Sequence, residues 1–569
     1  MIYEKNQLDS QHPLTGQPYG WTVVLDDGRR IPWRGLYTGP LTLTADQIEV
    51  TCSTLLGFGL DEMHRRVDGV LRPATGDKAG WPALILHSTT PELKAFEGDL
   101  NALARGAEPG DLTTYKETRS VYLARPADVA VGRTLTWSAA AEVLGVEAVE
   151  LPDRDHYYLS HALLNQAMAH RDRPSAVVER LLGYLRRGPR LIRLYALEPE
   201  MQIFLLWLAR AAGLDELPVE ANRPAVSAAW NRKAVLHPTV SEALALETMS
   251  LDPAQLLARE SRRSLLAREM AIEVPTVPGY TIERAGRDEG DFVRQILAAA
   301  RLLRGRYGLT TGCLKASEAG DGARITTGLD LDGRSILERL GRESFVHGDD
   351  YVLEAHVVYR RPSVAGQQLP TALSAHIRGG KVAEGTTIQF VEGTSWKGNV
   401  LLDARTAALF DVPAAHYDHL LRFITDFSES FRRRAPGMVL AGVDFAVGTV
   451  GGAFGDELLL GVQDLNVSFT GAECLRAFLA RAQDRSDADS TLSHYGVTRI
   501  YRPLPGCDLA AFRQVTDGAR GGGVYADTVA SIPGRWAMVG ITGADPADAM
   551  ANLGQLEASL LEHGLIAEP

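Results

Sequence analysis

The chain has 569 residues, of which 45% are hydrophobic, and this length exceeds what a single hydrophobic core can hold, so several domains are expected. Its 59 Lys and Arg residues against 71 Asp and Glu give a net charge of -12, which excludes nucleic acid from the expected partners. The four cysteines are scattered without a CxxC pair, a usage typical of a reducing cytoplasm. The most apolar predicted helix, MQIFLLWLARAAG, contains Arg210 and is too short to span a bilayer, so we expect a cytoplasmic protein without membrane contact.

Two segments of different pattern make up the first 225 residues. Residues 1–80 hold short apolar alternations such as WTVVL and LTLTADQIEV, separated by the turn signals DDG and TGP, which predicts a small β-rich extension. From residue 81 onward, buried strands such as PALILHS and RLIRLYAL alternate with helices. That alternation is typical of a layered α/β domain, which we predict for residues 81–225.

The rest of the chain is richer in strands. Within residues 226–490 the strand patterns are GCLKAS, YVLEAHVVY, TALSAHI, TTIQF, LAGVDFAVG and ELLLGVQDLNVSF, with one long helix, YDHLLRFITDFSESFRRRA. The acidic run SDADS predicts a solvated linker before a C-terminal α+β segment, residues 491–569. The expected fold class is therefore a multidomain chain of α/β and α+β type.

Polar residues interrupt two of these strands. Asp444 lies inside the apolar run LAGVDFAVG, and Asp464 and Asn466 are two residues apart, so on a strand both of their side chains leave the same face. Carboxylate and amide oxygens are the ligands that Mg²⁺ prefers beside phosphate oxygens. The spacing is equally compatible with a plainer interpretation, in which Asp464 and Asn466 only cap a strand end.

A lysine strand precedes a glycine-rich segment in GCLKASEAGDGARI. Lys315 lies on the strand, and the backbone amides of Gly320 and Gly322 could approach phosphate oxygens closely. The segment matches neither the GxxxxGK[ST] phosphate-binding loop nor a GxGxxG turn that opens a helix. What favours a nucleotide site is the order along the chain: lysine strand, glycine loop, a strand with the inward acid Glu354, then the aspartates.

That order resembles the ATP-grasp superfamily over roughly residues 226–475. In this superfamily two α+β subdomains clamp ATP, and the resemblance implies an ATP-grasp fold with ATP and Mg²⁺ as cofactors. It also implies that Lys233 and Lys315 face the phosphates and that Glu318 to Gly322 form a mobile glycine loop. Glu354 would be the acid near adenine and ribose. The three metal ligands would be Asp444, Asp464 and Asn466.

Two departures from the superfamily pattern concern the metal ligands and their surroundings. Asp464 stands where glutamate is more frequent, and Ser468 stands where many members have arginine. The arginine that stabilises the reacting anion must then come from elsewhere, and Arg378 in SAHIRGGK is the candidate.

The segments RRPSVAGQ and IQFVEGTSWKGN and the preceding α/β segment resemble one branch, the bacterial peptide ligases of pheganomycin type. Residues 81–225 then correspond to a pre-ATP-grasp domain, 226–490 to the ATP-grasp domain, and the first 80 residues have no counterpart. This resemblance implies ligation of a carboxylate to an amine through an acylphosphate with release of ADP, on amino acids or a small peptide, in natural-product biosynthesis. A non-ligating ATP-binding module, a carboxylation or phosphorylation reaction, and the choice between monomer and homodimer stay open.

Overall fold

The computed structural model describes residues 2–5, 21–24, 28–33, 41–88, 91, 112–133, 144–153, 155–247, 251–318, 324–340, 349–393, 395–486, 495–504, 507, 509–531 and 536–567. The chain divides into two compact units. Unit 1 comprises Met1–Pro224, Glu473–Ala544 and Asn552–Pro569, and unit 2 comprises Ala225–Ala472 and Asp545–Ala551.

The strands follow one another along the chain with the following bounds. They are β1 (Ile2–Lys5), β2 (Trp21–Val24), β3 (Arg30–Trp33), β4 (Leu71–Pro73), β5 (Ala83–Leu86), β6 (Val129–Gly132), β7 (Glu147–Glu150), β8 (Leu191–Leu194), β9 (Leu217–Glu220), β10 (Gly279–Ile282), β11 (Thr311–Ala316), β12 (Ile325–Asp330), β13 (Tyr351–Ala355), β14 (Val358–Tyr359), β15 (Ser363–Val364), β16 (Gln367–Gln368), β17 (Ala372–Arg378), β18 (Lys381–Val382), β19 (Thr386–Glu392), β20 (Ser395–Leu402), β21 (Leu440–Thr449), β22 (Leu459–Asn466), β23 (Tyr495–Tyr501), β24 (Ala526–Ser531) and β25 (Trp536–Gly543).

The helices are α1 (Ala45–Leu56), α2 (Leu60–Val70), α3 (Leu112–Leu123), α4 (Leu159–Asp172), α5 (Ala176–Leu185), α6 (Pro199–Ala212), α7 (Pro224–Trp230), α8 (Val240–Leu244), α9 (Pro253–Ser261), α10 (Leu265–Met270), α11 (Glu289–Tyr307), α12 (Gly333–Leu340), α13 (Ala414–Arg434), α14 (Ala472–Ser486), α15 (Leu509–Gly518) and α16 (Pro546–Glu562). Short 3-10 turns occupy Gly76–Gly80, Lys233–Leu236, Ala407–Phe410 and Gly452–Phe454.

Unit 1 is built around a parallel sheet with the strand order β4-β9-β8-β5-β6-β7. Strands β5 and β8, which were predicted from PALILHS and RLIRLYAL, are buried along their whole length. Burial of every residue is expected where helices cover both faces of a parallel sheet. Helix α6, predicted from MQIFLLWLARAAG, ends at Gly213, whose left-handed backbone conformation (φ 74°) caps the helix.

Antiparallel strand pairs complete unit 1. Strands β1, β2 and β3 form a small three-stranded sheet, and β25 pairs with β23 on one side and with β24 on the other. The interpretation of LTLTADQIEV as a strand is wrong, because Thr44 and Gln47 form a reciprocal capping box that begins helix α1 at Ala45. The hydroxyl of Thr44 accepts from the backbone N–H of Gln47, and the amide of Gln47 accepts from the backbone N–H of Thr44.

Unit 2 contains a four-stranded antiparallel sheet in the order β10-β13-β11-β12. Helix α11 covers it through a stripe of buried residues at helical spacing, Phe292, Ile296, Ala299, Ala300, Leu303 and Tyr307. Asp288 caps the start of this helix, and Gly308 (φ 65°) ends it. The sheet presents Lys315 on β11 and Glu354 on β13.

The second antiparallel sheet of unit 2 is centred on β21. Strand β21 pairs with β17, with β22 and, near its C-terminal end, with β14, while β19 joins β17 to β20. The pairing of β21 with β22 is irregular between Asp444 and Phe445, because Asp464 faces Asp444 whereas Val462 faces Phe445. Gln463 is therefore the extra residue of a β-bulge.

The prediction of mixed α/β and α+β architecture is confirmed by a parallel sheet in one unit and antiparallel sheets in both. Within the ranges that the structure describes, no helix combines the length and the apolar character needed to cross a membrane.

Candidate functional site

The 3-10 turn Lys233–Leu236 docks on the end of the strand that carries Lys315. The backbone N–H of Lys233 donates to the carbonyl of Ser317 (3.0 Å), and the N–H of Ala234 donates to the Ser317 hydroxyl (3.0 Å). The Thr281 hydroxyl donates to the carbonyl of Ala234 (2.8 Å). These contacts bring two residues that are far apart in sequence, Lys233 and Lys315, to the same part of unit 2.

Strand register in the second sheet places carboxylates side by side. Ser374 on β17 faces Asp444 on β21, which in turn faces Asp464 on β22. Directly opposed residues of an antiparallel pair share one face, so these three side chains form a row. Asn466 joins the row, because its side-chain amide donates to Asp444 Oδ2 (3.0 Å).

Asp444 is held in a half-buried position by three hydrogen-bond donors. Asp444 Oδ1 accepts from the Ser374 hydroxyl and from Gln389 Nε2 (2.7 Å), and Oδ2 accepts from Asn466. Its carboxylate is thus fixed in orientation before any ligand binds.

The bulge at Gln463 lets neighbouring side chains of β22 contact charged residues on opposite sides of the strand. Asp464 Oδ2 lies 2.9 Å from Lys233 Nζ, and Asp464 Oδ1 accepts from the N–H of Leu465 (2.9 Å). Gln463 turns the other way, and its side-chain oxygen accepts from Lys315 Nζ at 3.1 Å. Because of this extra residue in the strand, the consecutive side chains of Asp464 and Gln463 contact different lysines. We call Lys233, Asp444, Asp464 and Asn466 the Asp444 cluster.

A second charged group is almost completely buried. Glu354 is 1% exposed, with Oε1 lying 2.5 Å from Lys315 Nζ and Oε2 lying 2.9 Å from His237 Nε2. Gly279 faces Glu354 across the β10–β13 pair, and a Cβ at that position would lie 2.6 Å from the His237 ring and 2.8 Å from Glu354 Cβ. Only glycine lets the His237 ring pack so closely there. We call Lys315, Glu354 and His237 the Glu354 cluster.

The pKa values of Asp444 and Glu354 are shifted in opposite directions. Burial and the neighbouring Asp464 carboxylate raise the pKa of Asp444 to about 6, against the opposing effects of Ser374, Lys233 and Gln389. Burial alone would also raise the pKa of Glu354, but Lys315 and His237 outweigh burial and hold that pKa below its usual range. Burial alone would lower the pKa of Lys315, and Glu354 reverses the shift and raises it.

The Asp444 cluster fits a divalent cation. It places two carboxylates against one ammonium, and the Asp464 carboxylate adds to the effect of burial in raising the pKa of Asp444. In the described part of the chain no three or more His, Cys, Asp or Glu side chains come together as a metal site, so the third protein ligand here would have to be the amide oxygen of Asn466. A hard ion such as Mg²⁺ accepts two carboxylates, an amide oxygen and further oxygens from a ligand.

Two other predicted residues, Glu318 and Arg378, lie outside these clusters. Glu318 is an exposed turn residue just after Ser317, while Gly320 and Gly322 fall outside the described residues. Arg378 faces Leu440 at the far end of the β17–β21 pair, four residues beyond Ser374, about 13 Å along a strand. The structure thus brings Lys233, Lys315, Glu354 and the three metal-ligand candidates together, and does not bring Arg378 beside Asp444.

Sequence reasoning missed four residues that contact the predicted ones. Ser374 and Gln389 donate to Asp444, Gln463 accepts from Lys315, and His237 contacts Glu354. Of these, only His237 could have been identified from a sequence pattern, because it lies four residues after Lys233 at the end of a short apolar run. The other three depend on strand register, which the sequence did not specify.

No protein-family model and no curated protein matches this chain. Among solved structures, similarity is found to carboxyaminoimidazole ribonucleotide synthase from Aspergillus clavatus complexed with ATP, at 12% identity and TM-score 0.36, over 78% of this chain and 99% of that chain. N5-carboxyaminoimidazole synthetase from Staphylococcus aureus aligns at 8% identity and TM-score 0.37, over 77% and 94% of the two chains. A protein assigned to the ATP-grasp superfamily from Archaeoglobus fulgidus aligns at 10% identity and TM-score 0.29, over 75% and 95%. TM-scores below 0.5 establish neither a shared fold nor a shared activity.

Proposed function

We propose that this chain is an ADP-forming carboxylate–amine ligase of the ATP-grasp superfamily, with Mg²⁺ and ATP bound in unit 2. The observation that supports this proposal most is the convergence of two lysines and two aspartates from positions 233 to 464 around one bulged strand. Their order along the chain is the one on which the resemblance was based, and the contacts show that they also meet in space.

The residues suit phosphoryl transfer, which needs positioning and charge neutralisation rather than a protein nucleophile. Lys233 and Lys315 supply positive charge for phosphate oxygens. Asp444, Asp464 and Asn466 would hold Mg²⁺, which when bound neutralises phosphate charge. Burial raises the pKa of the Cys313 thiol to about 12, so this thiol beside Lys315 is not a thiolate nucleophile at neutral pH.

The reaction that we propose has two steps. A substrate carboxylate attacks the γ-phosphate of ATP, which gives an acylphosphate and ADP. The amine of a second substrate then attacks the acyl carbon and releases phosphate. We further propose amino acids or a small peptide as substrates in natural-product biosynthesis, with residues 81–225 as a pre-ATP-grasp domain, 226–490 as the ATP-grasp domain and 491–569 as a C-terminal segment.

The test is a product assay with pooled substrates. The protein is incubated with ATP, Mg²⁺ and pools of carboxylates and amines, and nucleotides and coupled masses are recorded. We expect ADP, phosphate and a product whose mass equals the two substrates less one water. AMP and pyrophosphate as the main products would contradict the acylphosphate route, and ATP binding without ADP release from any pool would favour a non-ligating ATP-binding module. The variant Asp444→Asn/Asp464→Asn serves as the matched inactive control.

A further inference from the structure

His237 is a buried residue to which the proposed reaction gives no role. Its side chain is 1% exposed, and its Nε2 lies 2.9 Å from Glu354 Oε2. An ionised carboxylate can only accept hydrogen bonds, so Nε2 must carry the proton and donate to Glu354. The contact is a charge-assisted hydrogen bond in a position from which water is excluded.

The two oxygens of Glu354 have different partners. His237 occupies Oε2, and Lys315 Nζ contacts Oε1 at 2.5 Å. With one oxygen fixed by the imidazole, the carboxylate cannot rotate without breaking that hydrogen bond. The position of Oε1 is therefore set by His237, and Oε1 in turn forms an ion pair with the Lys315 ammonium, which also donates to the side-chain oxygen of Gln463 at 3.1 Å.

The backbone around His237 is itself fixed. The Thr281 hydroxyl donates to the carbonyls of Ala234 (2.8 Å) and His237 (3.2 Å), and the N–H of Thr281 donates to Pro238 (2.9 Å). Gly279 provides the space into which the imidazole packs. The same short turn that presents Lys233 to Asp464 thus also presents His237 to Glu354.

We propose that His237 is a positioning residue for Lys315 and acts through Glu354. The inference rests on the proposed function, because it assumes that Lys315 binds a phosphate oxygen of ATP. A precisely held ammonium contributes more to binding than a mobile one, because the entropy of its side chain is lost on folding and not on binding. His237 would act without touching the nucleotide, because its side chain is buried against Glu354.

The first measurement is the affinity for MgATP by calorimetric titration, with melting temperature recorded on the same preparations. We expect His237→Leu to weaken MgATP binding about tenfold, the scale of one lost hydrogen bond to a charged group. His237→Gln retains an N–H donor and should recover most of that affinity. His419→Leu, on helix α13 of the same unit, is the control and should bind MgATP like the unsubstituted protein. Normal affinity in His237→Leu, with only a lower melting temperature, would overturn the inference.

A double-mutant cycle with Lys315→Gln distinguishes positioning from general stabilisation. The introduced glutamine keeps a donor for Glu354 but has no charge for phosphate, so adding His237→Leu should cause little further loss of MgATP affinity. An additive, again tenfold, loss would show that His237 does not act through Lys315 and would overturn the inference while leaving the proposed function intact. No MgATP binding by the unsubstituted protein would overturn both.

Gly279→Ala provides a second route if His237→Leu does not fold. The added methyl group displaces the imidazole or Glu354 without changing any charged group. We expect weaker MgATP binding in this variant, and unchanged affinity would count against the inference.

Discussion

The two charged clusters of unit 2 differ in how many basic partners their carboxylates have. In the Glu354 cluster each carboxylate oxygen has its own basic partner, and the pKa of Glu354 is held below its usual range. In the Asp444 cluster two carboxylates share one lysine, and the pKa of Asp444 rises to about 6. The first cluster is electrostatically complete without a ligand, whereas the second has an excess of negative charge.

This difference indicates different roles within one site. A complete cluster holds its members in place, so the Glu354 cluster is suited to positioning Lys315. An incomplete cluster gains stability when a cation arrives, so the Asp444 cluster is suited to binding Mg²⁺. Substitutions in the two clusters should therefore affect stability and function in different proportions.

The largest effect on stability is expected when Lys315 is removed. Lys315→Ala leaves a buried carboxylate with only His237 as partner, and breaking a buried ion pair in this way costs about 3–5 kcal/mol. Lys233→Ala should cost less, because the side chain of Asp464 is 26% exposed and water can replace the ammonium. Both variants should bind ATP more weakly. Denaturant unfolding and ATP titration of the two proteins test the comparison.

A matched control separates the two effects of Lys315. Adding Glu354→Gln to Lys315→Ala removes the stranded charge, so it should restore most of the lost stability without restoring ATP affinity. Equal stability losses in Lys315→Ala and Lys233→Ala would contradict the distinction between the clusters. Unchanged ATP affinity in either single variant would remove that lysine from the site.

The next effect concerns catalysis rather than stability. Asp464→Asn removes one negative charge with little change in volume, so the fold should survive while Mg²⁺-dependent ADP release falls about 100-fold or more. If Asp464 only caps a strand end, the variant should instead melt at a lower temperature and keep its activity where it is folded. Measuring both quantities on one preparation decides between the interpretations, and near-normal turnover would exclude Asp464 as a metal ligand.

The smallest effect is a gain in stability without metal. The folded-state pKa of Asp444, about 6, lies above the value of about 3.9 expected in an unfolded chain, so ionisation of Asp444 destabilises the fold as pH rises through that window. Asp444→Asn should therefore melt higher than the unsubstituted protein without Mg²⁺, with a larger gain at pH 8 than at pH 5. A gain of about 1 kcal/mol corresponds to about 2–4 °C in a domain of this size.

The substitution fits the hydrogen-bond pattern, because the oxygen of the introduced amide could still accept from Ser374 and Gln389 while the Asn466 amide rotates to accept from its nitrogen. Asp426→Asn on the exposed face of α13 is the control and should not change the melting temperature with pH in this way. An equal or lower melting temperature for Asp444→Asn at pH 8 would contradict the raised pKa of Asp444 in the folded protein.

Strand patterns made the row of oxygen-bearing side chains predictable, and their role as metal ligands stays a prediction. Asp464 and Asn466 are two residues apart on a strand, and Asp444 interrupts an apolar strand, so the sequence was enough to expect side chains on one face. The sequence did not predict which residues of β21 and β22 would face each other, because the bulge at Gln463 shifts the register by one residue. The contact of Gln463 with Lys315 follows from that bulge.

The Glu354 cluster was harder to predict. Lys315 and Glu354 were identified on their strands, but no sequence pattern indicated that their side chains would pair with each other and with His237. That pairing depends on the antiparallel register of β11 with β13 and on the space at Gly279. Glu354, expected near adenine and ribose, has its carboxylate engaged by protein groups, and its proximity to a nucleotide stays a prediction. The prediction of a strand in LTLTADQIEV was wrong because the capping box that begins a helix there outweighs the local β-propensity.

The most direct test of the account is calorimetric titration of ATP into the unsubstituted protein and into Asp444→Asn/Asp464→Asn, each with Mg²⁺ and with a chelator. We predict that the unsubstituted protein binds ATP much more tightly with Mg²⁺ than with the chelator, and that the double variant loses this dependence while keeping a weak, metal-independent affinity through the lysines. Metal-independent binding by the unsubstituted protein, or an undiminished Mg²⁺ dependence in the double variant, would contradict the assignment of the Asp444 cluster as the cation site.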